Sequence, residues 1–223
     1  MYALKERYHA LLQALAQAAQ HSEAPQIPTL IAVSKTFPTA DIQLVYDAGC
    51  RDFGENRVQE LLDKIPALPS DIRWHFIGQL QRNKVKYLIG NVALIHTLDR
   101  LSLAQEIEKQ ATKRNVIQPC LVEINLGDEP QKGGISPADA PQLLCEIQST
   151  MPHIHTAGLM CIPPQAWESD RAFALLSSMA REWHTQGLLA GTTLSMGMSD
   201  DFKAAIAHGA TMVRIGSALF GAR

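Results

Sequence analysis

The stretch Thr29-Leu30-Ile31-Ala32-Val33-Ser34-Lys35 decides the fold of this chain, because an uninterrupted apolar run ends there on a lysine. Continuous runs of branched aliphatic residues are typical of strands that are buried on both faces of a parallel sheet. Seven more short apolar runs follow along the 223 residues, at 52–54, 74–77, 94–98, 119–125, 155–160, 192–196 and 212–215. Together with 29–34, they predict eight β-strands.

Helical patterns fill the gaps between these runs and are clearest at 101–114 and 167–186. Strands that alternate with helices favour parallel βαβ units, and eight such units favour a closed (β/α)8 barrel of the TIM type. No linker divides the chain, so we expect one α/β domain over 1–223, with an extra N-terminal helix over 1–20 on the outside or the bottom of the barrel. An open doubly wound sheet is the alternative. The first strand is not followed by a GxGxxG motif, which disfavours a dinucleotide site.

Composition excludes several classes of partner. A net charge of −2 provides no basic surface for nucleic acid, and no apolar run reaches the length of a bilayer. His153 and His155 have no cysteine or carboxylate cluster beside them, so we expect no metal site. The cysteines stand singly, as in reduced cytoplasmic proteins, at Cys50, Cys120, Cys145 and Cys161. We therefore expect a cytoplasmic protein.

Lys35 is the first candidate functional residue, because chemistry in such barrels belongs at the C-terminal ends of the strands. Side chains alternate along a strand, so Lys35 shares a face with Val33 and Ile31. Branched residues favour the barrel interior, which points Lys35 into the mouth, where partial desolvation lowers the pKa of its amine. Such an amine can capture an aldehyde. A surface lysine at a strand end is the alternative from this residue alone.

The C-terminal part of the chain predicts an anion site. Ser199 suits the N-cap of a helix over 203–208, and free N–H groups at such a terminus bind phosphate. Gly216, after the last strand, allows a ligand to approach the backbone closely. Phosphate sites after strands seven and eight recur in barrels. Asp200 and Asp201 would repel a phosphate unless they turn away, and a serine cap without phosphate remains the alternative.

Arg214 lies in the middle of the last apolar strand, where a buried guanidinium must be paired. One possibility is a structural ion pair with Glu123 or Glu55. The other is that Arg214 donates to the ring nitrogen of a cofactor. An arginine there keeps a pyridine nitrogen unprotonated and weakens the ring as an electron sink.

Several motifs occur together and in order, and they are identified as those of a known family. The sequence resembles the pyridoxal phosphate homeostasis protein family, a relative of the alanine racemase N-terminal barrel, from about residue 31 to residue 223. The motifs are Ala32-Val33-Ser34-Lys35-Thr36, Phe53-Gly54-Glu55-Asn56, the run from His75 to Lys84, Gly158-Leu159-Met160, Ser195-Met196-Gly197-Met198-Ser199 and Arg214-Ile215-Gly216.

The resemblance implies a pyridoxal 5′-phosphate protein of fold type III, with the cofactor held on Lys35 as an internal aldimine. It implies phosphate contacts from Ser199, Gly216 and Ser217, the last at a place often held by threonine. Arg214 matches the residue that faces the pyridine nitrogen. The motifs that line the pocket also contain Asn56, His75 and Met198.

The resemblance leaves open whether the protein is an enzyme or a carrier. A racemase needs an acid/base group on each face of its substrate, and related racemases take the second, a tyrosine, from a C-terminal β-domain. This chain ends soon after Gly216, and none of its tyrosines (Tyr2, Tyr8, Tyr46 and Tyr87) follows a predicted strand.

We expect a monomer that takes part in vitamin B6 homeostasis, delivering the cofactor to apo-enzymes or buffering it. We expect it to have no catalytic residues and no robust activity. The alternatives are a racemase of narrow substrate range, with His75 as the second acid/base group, and a cofactor-free Schiff-base aldolase.

Overall fold

The computed structural model describes residues 2–20, 22, 26–127, 129 and 132–221. Within them, strands and helices alternate after a first helix. The strands are β1 (Thr29–Val33), β2 (Asp52–Glu55), β3 (Arg73–Phe76), β4 (Leu94–Leu98), β5 (Gln118–Glu123), β6 (Ile154–Met160), β7 (Thr193–Ser195) and β8 (Met212–Ile215). The helices are α1 (Tyr2–Ala19), α2 (Thr39–Asp47), α3 (Val58–Lys64), α4 (Val85–Leu88), α5 (Leu101–Arg114), α6 (Ala140–Thr150), α7 (Ser169–Thr185), α8 (Phe202–Ala207) and α9 (Ser217–Phe220).

All eight strands are parallel and close into a barrel in sequence order. The closure is made by β1, which pairs with β2 through Ala32 and Phe53 and with β8 through Ile31 and Arg214. The predicted (β/α)8 barrel is therefore confirmed, and the open sheet is excluded. Because parallel strands all point the same way, their C-terminal ends share one rim, and the loops of that rim form the mouth of the barrel.

The predicted elements match the observed ones within a few residues at each end. Helix α5 has the predicted bounds, and α8 lies one residue earlier than predicted. Helix α7 begins two residues later than predicted, since Glu168 before it has extended backbone angles. The predicted N-terminal helix ends at Ala19, and its residue 1 lies outside the described residues.

Two apolar layers hold the barrel together. The larger one lies between the strands and the surrounding helices and includes Leu30 and Ala32 of β1. The smaller one lies inside the barrel and consists of Leu94, Leu121 and Met160. The alternation of β1 therefore places Leu30 and Ala32 outside. Ile31 and Val33 face inward, as predicted.

Helix α1 packs on the outside of the barrel against α2, α8 and α9. Its buried side chains recur every three to four residues, which aligns them on one face: Tyr8, Leu11, Leu15 and Ala19. The helix thus covers the seam where the first and last units of the barrel meet. This confirms the outside position and excludes the bottom.

Three further properties concern the described part of the chain. None of its helices has the length and apolar character that crossing a membrane requires. Its histidines, cysteines and carboxylates form no group of three that could hold a metal ion. Cys50, Cys120 and Cys161 are buried free thiols, and Cys145 is exposed and free.

Candidate functional site

A cavity of about 560 Å³ opens at the mouth of the barrel. Seven residues singled out in the sequence line it, contributed by the loops after several strands: Lys35, Asn56, Met198, Ser199, Arg214, Gly216 and Ser217. The structure therefore brings together side chains that are up to 182 residues apart in the sequence, from Lys35 to Ser217. Apolar walls that the motifs did not single out come from Phe37, Ile77 and Ile162.

Lys35 enters the cavity from the end of β1, together with Val33 two residues before it. The intervening Ser34 is fully buried and points the other way, where its hydroxyl donates to Glu55 Oε1 at 2.6 Å. The alternation predicted for this strand is thus observed. The hydrogen bond of Ser34 fixes the strand end that carries the lysine.

A buried ion cluster supports the backbone on both sides of Lys35. Lys64 Nζ donates to the Ser34 carbonyl at 2.9 Å and contacts one carboxylate oxygen of Glu55 and one of Glu60, each at 2.7 Å. Burial raises the pKa of Glu55, which the Lys64 ammonium partly offsets. Glu55 is therefore committed to Lys64 and is not an ion-pair partner of Arg214.

The turn after Lys35 depends on the same cluster. Thr36 has a φ of 71°, in the left-handed region that a β-branched residue rarely adopts. Its N–H donates to Glu60 Oε1, and Glu60 is in turn held by Lys64. This side-chain acceptor stabilises a strained backbone conformation, which turns the chain away directly after the lysine.

Two hydroxyls meet on the opposite side of the cavity. The Ser217 hydroxyl donates to Ser199 Oγ at 3.0 Å, and Ser199 Oγ also accepts the Ala218 N–H at 3.3 Å. The prediction that Ser199 caps the next helix is wrong, because α8 begins only at Phe202. The Ser199 hydroxyl faces the cavity instead.

The loop between β7 and α8 is held by Asp201 and by a glycine. Asp201 Oδ1 accepts the Met198 N–H at 2.6 Å, so this carboxylate turns back onto its own loop, whereas Asp200 lines the cavity. Gly197 has a φ of 91°, and a Cβ on it would lie 2.6 Å from Cβ of Ala205. Only glycine fits at this position.

Arg214 reaches the cavity from β8 and is 5% exposed. Its Nη1 donates to the Ser195 carbonyl at 2.7 Å and to Ser195 Oγ at 2.8 Å, and its Nη2 donates to the Cys161 carbonyl at 2.9 Å. Burial lowers the pKa of its guanidinium. Among the described carboxylates none forms an ion pair with it, so the predicted pairing with Glu123 or Glu55 is not observed.

His75 does not line the mouth cavity, contrary to the expectation from its motif. Its ring is 3% exposed and lies inside the barrel, with Nε2 3.1 Å from Asp52 Oδ1 and Nδ1 2.9 Å from His96 Nε2. Two residues further along the chain, Ile77 occupies the position at the mouth that we had expected for the histidine. One pleat repeat separates the two positions.

A smaller cavity of about 200 Å³ adjoins the first through the shared residues Ile77 and Ile162. Glu123 lines it and is 5% exposed; burial raises the pKa of its carboxyl to about 7, with a further contribution from Asp99. Lys132, in the loop after β5, contacts Glu129 Oε2 at 2.6 Å. Its amine also donates to the Pro163 carbonyl at 2.9 Å, so this lysine is held by its own loop and by the loop after β6.

The donor set of the main cavity defines the ligand that it fits. Lys35 offers an amine, Arg214 a permanent cation, and Ser199 and Ser217 a pair of hydroxyls, all on the wall of one cavity. A molecule that carries an aldehyde, a ring acceptor atom and an anionic group would satisfy all of them. The residues therefore fit pyridoxal phosphate as a ligand class.

Comparison with known proteins agrees with this geometry. The chain matches the family model described as alanine racemase, N-terminal domain, over residues 7–223. The pyridoxal phosphate homeostasis protein of Aquifex aeolicus strain VF5 is 44% identical, with 98% of this chain and 97% of that protein covered. The chain belongs to the pyridoxal phosphate homeostasis protein family. The member from Escherichia coli K12 is 41% identical over 93% of this chain and 91% of its own.

Two solved structures superpose on this member of the pyridoxal phosphate homeostasis protein family. PipY of Synechococcus elongatus PCC7942, solved with pyridoxal phosphate bound, superposes with a TM-score of 0.85 at 35% identity and covers 98% of this chain and 100% of that one. Alanine racemase from Corynebacterium glutamicum superposes with a TM-score of 0.72 at 16% identity, over 99% of this chain and 61% of that one. The second likeness is one of fold alone. The family inferred from the motifs is confirmed.

Proposed function

We propose that this chain is a single-domain pyridoxal 5′-phosphate-binding protein of vitamin B6 homeostasis that holds the cofactor on Lys35 as a Schiff base. The observation that carries the proposal is the convergence of Lys35, Arg214 and the serine pair on one cavity of the mouth. The PipY structure with pyridoxal phosphate bound, at 35% identity over the whole domain, supports it.

Each group of the cavity takes one part of the cofactor in this proposal. Pyridoxal phosphate supplies an aldehyde and an electron-accepting ring when it is bound. The Lys35 amine bonds the aldehyde and releases water. The Ser199 and Ser217 hydroxyls and the backbone at Gly216 hold the phosphate, and Arg214 faces the ring nitrogen. Asn56 and Met198 are wall residues.

We further propose that the protein delivers or buffers the cofactor and has no robust catalytic activity of its own. Arg214 donates hydrogen bonds and cannot give up a proton, so it discourages protonation of the ring nitrogen and carbanion chemistry. The racemase alternative depended on His75 as a second acid/base group, and that ring is bonded to Asp52 and His96 inside the barrel. Apo-enzymes as recipients, a monomeric state and a cytoplasmic location belong to the same proposal. Free thiols at all four cysteines support the location.

An absorption spectrum tests the binding half of the proposal. We expect added pyridoxal phosphate to give a visible band in the wild-type protein and in Lys109→Ala, a control whose side chain is 73% exposed on α5. The band is expected to vanish in Lys35→Ala. A wild-type protein that stays colourless would contradict cofactor binding and favour the aldolase alternative.

A panel of amino acids tests the carrier half. We expect no sustained racemisation by pure, cofactor-loaded protein, because His75, the candidate for the second proton-transfer group, is hydrogen-bonded inside the barrel. Sustained turnover of one amino acid that is lost in Lys35→Ala would establish the racemase of narrow range instead.

A further inference from the structure

A continuous line of hydrogen-bonded side chains crosses the barrel interior behind Arg214. Arg214 Nη1 donates to Ser195 Oγ at 2.8 Å, and Ser195 Oγ lies 2.9 Å from His96 Nδ1. His96 Nε2 lies 2.9 Å from His75 Nδ1, and His75 Nε2 lies 3.1 Å from Asp52 Oδ1. None of the five residues is more than 7% exposed. We call them the interior chain.

When both imidazoles are neutral, the two ends of the interior chain determine where its protons lie. A guanidinium can only donate, so Ser195 Oγ accepts from Arg214 and passes its own proton toward His96 Nδ1. His96 must then carry its proton on Nε2, which donates to His75 Nδ1. His75 in turn donates from Nε2 to Asp52, whose carboxylate can only accept. Every proton of the chain therefore points away from Arg214.

The charge state of the middle of the chain agrees with this direction. Burial holds the pKa of His96 well below its usual value, and the neighbouring Arg214 cation adds to the effect. A neutral imidazole has one donor and one acceptor nitrogen, which is what a link in a one-way chain requires. If His75 were protonated, it would donate from both nitrogens, and His96 would have to carry its proton on Nδ1.

The far end of the chain is anchored at the opposite rim of the barrel. Arg73 Nε donates to Asp52 Oδ1 at 2.7 Å, and its Nη2 contacts the other carboxylate oxygen. Burial opposes the charged form of Asp52, but its hydrogen bonds to His75 and Arg73 outweigh burial, so the pKa of this carboxyl is lowered. A fixed anion thus terminates the chain, while a fixed cation begins it.

We propose that the interior chain is a positioning device for Arg214: Ser195 and His96 hold the guanidinium in the orientation that faces the cofactor, and His75 and Asp52 fix the protons that let them do so. The three aligned dipoles of Ser195, His96 and His75 also stabilise the buried cation without placing a carboxylate beside it. This inference rests on the proposed function, since it assigns Arg214 the role of facing the cofactor ring.

Ser195→Ala is the variant that cuts the chain with the smallest change in volume. It removes one of the three acceptors of Arg214 and leaves the Ser195 and Cys161 carbonyls. We expect the affinity for pyridoxal phosphate to fall about tenfold, the effect of one hydrogen bond to a charged group, and the visible band to change its pH midpoint. His96→Gln offers an acceptor and a donor in place of the two ring nitrogens, so this variant should keep most of the wild-type affinity and spectrum.

Gln118→Met is the matched control. Gln118 is 1% exposed near the far rim, and its amide donates to the Val92 and Pro119 carbonyls, outside the interior chain. We expect this variant to lose stability while it keeps the affinity and the pH midpoint. If Ser195→Ala also lost stability alone, with both readouts unchanged, the inference would be overturned.

Nuclear magnetic resonance of the cofactor-free protein separates this inference from the proposed function. We expect the ring nitrogens of His96 to show a neutral form with the proton on Nε2, and the Arg214 guanidinium to rotate slowly, with faster rotation in Ser195→Ala. A proton on Nδ1 of His96, or rotation that Ser195→Ala leaves unchanged, would overturn the interior chain even if the cofactor binds. Failure of the wild-type protein to bind pyridoxal phosphate would overturn the proposed function and leave these signals intact.

Discussion

The two ends of the barrel both carry charged side chains, but these side chains are used differently. At the N-terminal end, Asp52 is bound by Arg73 and His75, so the polar groups satisfy one another. At the C-terminal mouth, Lys35 and Ser217 line a cavity of about 560 Å³. Asp52, Arg73 and His75 also border a cavity, of about 310 Å³, but there the three side chains bind one another. The difference between the two ends therefore lies in the partners of the polar groups and not in the presence of a cavity.

The largest expected effect on stability concerns the buried ion cluster of Lys64, Glu55 and Glu60 next to Lys35. Lys64→Met leaves the Glu55 carboxylate buried without its cation, which should lower the free energy of unfolding by about 4 kcal/mol at pH 8. The loss should shrink near pH 5, because Glu55, whose pKa burial already raises, can then take up a proton. Urea unfolding measures both values.

Lys109→Met is the control for that experiment, since the Lys109 side chain is 73% exposed and pairs with Glu106 on the surface of α5. We expect it to change the free energy of unfolding by less than about 0.5 kcal/mol. Equal losses in the two variants would show that the ion cluster does not support the Lys35 turn.

Glu123→Gln should stabilise the protein in a pH-dependent way. Burial raises the pKa of Glu123 to about 7 from an ordinary 4.5, so the folded state binds this proton more tightly than the unfolded state does. Wild-type stability is therefore lost as the pH rises from about 4.5 to about 7, by up to roughly 3 kcal/mol. The variant should match the wild type near pH 4 and exceed it by that amount at pH 8.

Chemical unfolding at several pH values checks this difference. Glu146→Gln, on the exposed face of α6, is the control and should leave the pH profile unchanged. A Glu123→Gln profile parallel to that of the wild type would mean that the carboxylate of Glu123 is satisfied in the folded state.

His75→Leu tests whether the polar side chains at the N-terminal end of the barrel contribute to stability. It removes one hydrogen-bond partner from Asp52 and one from His96, while Arg73 still holds Asp52, so we expect a loss of about 2 kcal/mol of stability. His155→Leu, at an exposed position of β6, should lose little. Thermal unfolding distinguishes them. If His75→Leu instead kept its stability and lost cofactor binding entirely, the assignment of this end to structure would be wrong.

Ser217→Ala has the smallest expected effect and tests whether a polar group at the mouth contributes to ligand binding. The hydroxyl faces the cavity and donates to Ser199. Its loss should weaken pyridoxal phosphate binding by about 1 kcal/mol, or roughly fivefold, with stability almost unchanged. Titration of the visible band measures this, with Ser149→Ala on α6 as the control. A loss of stability without a loss of affinity would assign Ser217 to structure.

Much of the fold was predictable because its signals are local. The apolar run that ends at Lys35 and the periodic helix Leu101–Arg114 depend on residues that are neighbours in the chain. Strand ends shifted by one or two residues, since hydrogen bonding to adjacent strands decides where a strand stops. The register shift of β6 against β5 next to Gly158, whose φ is 153°, has no such local apolar signal.

The positions of the site residues were predictable where the alternation of side chains along a strand sets them. They were less predictable where a loop sets them. Lys35 and Val33 lie on the inward-facing side of β1 and its continuation, and both line the mouth cavity as the alternation predicts. Ser199 was predicted to cap the following helix. In the structure Asp201 accepts the Met198 N–H, and α8 begins only at Phe202. His75 faces the barrel interior, as its strand position predicts, but it lies one pleat repeat below the mouth cavity. His96 faces the barrel interior as well, but its hydrogen bond to His75 depends on the register of β3 and β4, which pairs His75 with Leu94.

The central claim is that Lys35, at the open end of the barrel, carries the cofactor. Borohydride reduction of the protein loaded with pyridoxal phosphate, followed by proteolysis and mass spectrometry, tests it most directly. We predict a stable pyridoxyl adduct on the peptide that contains Lys35, with none on the peptide that contains Lys132. An adduct confined to Lys132 or to exposed lysines, with Lys35 unmodified, would contradict the account.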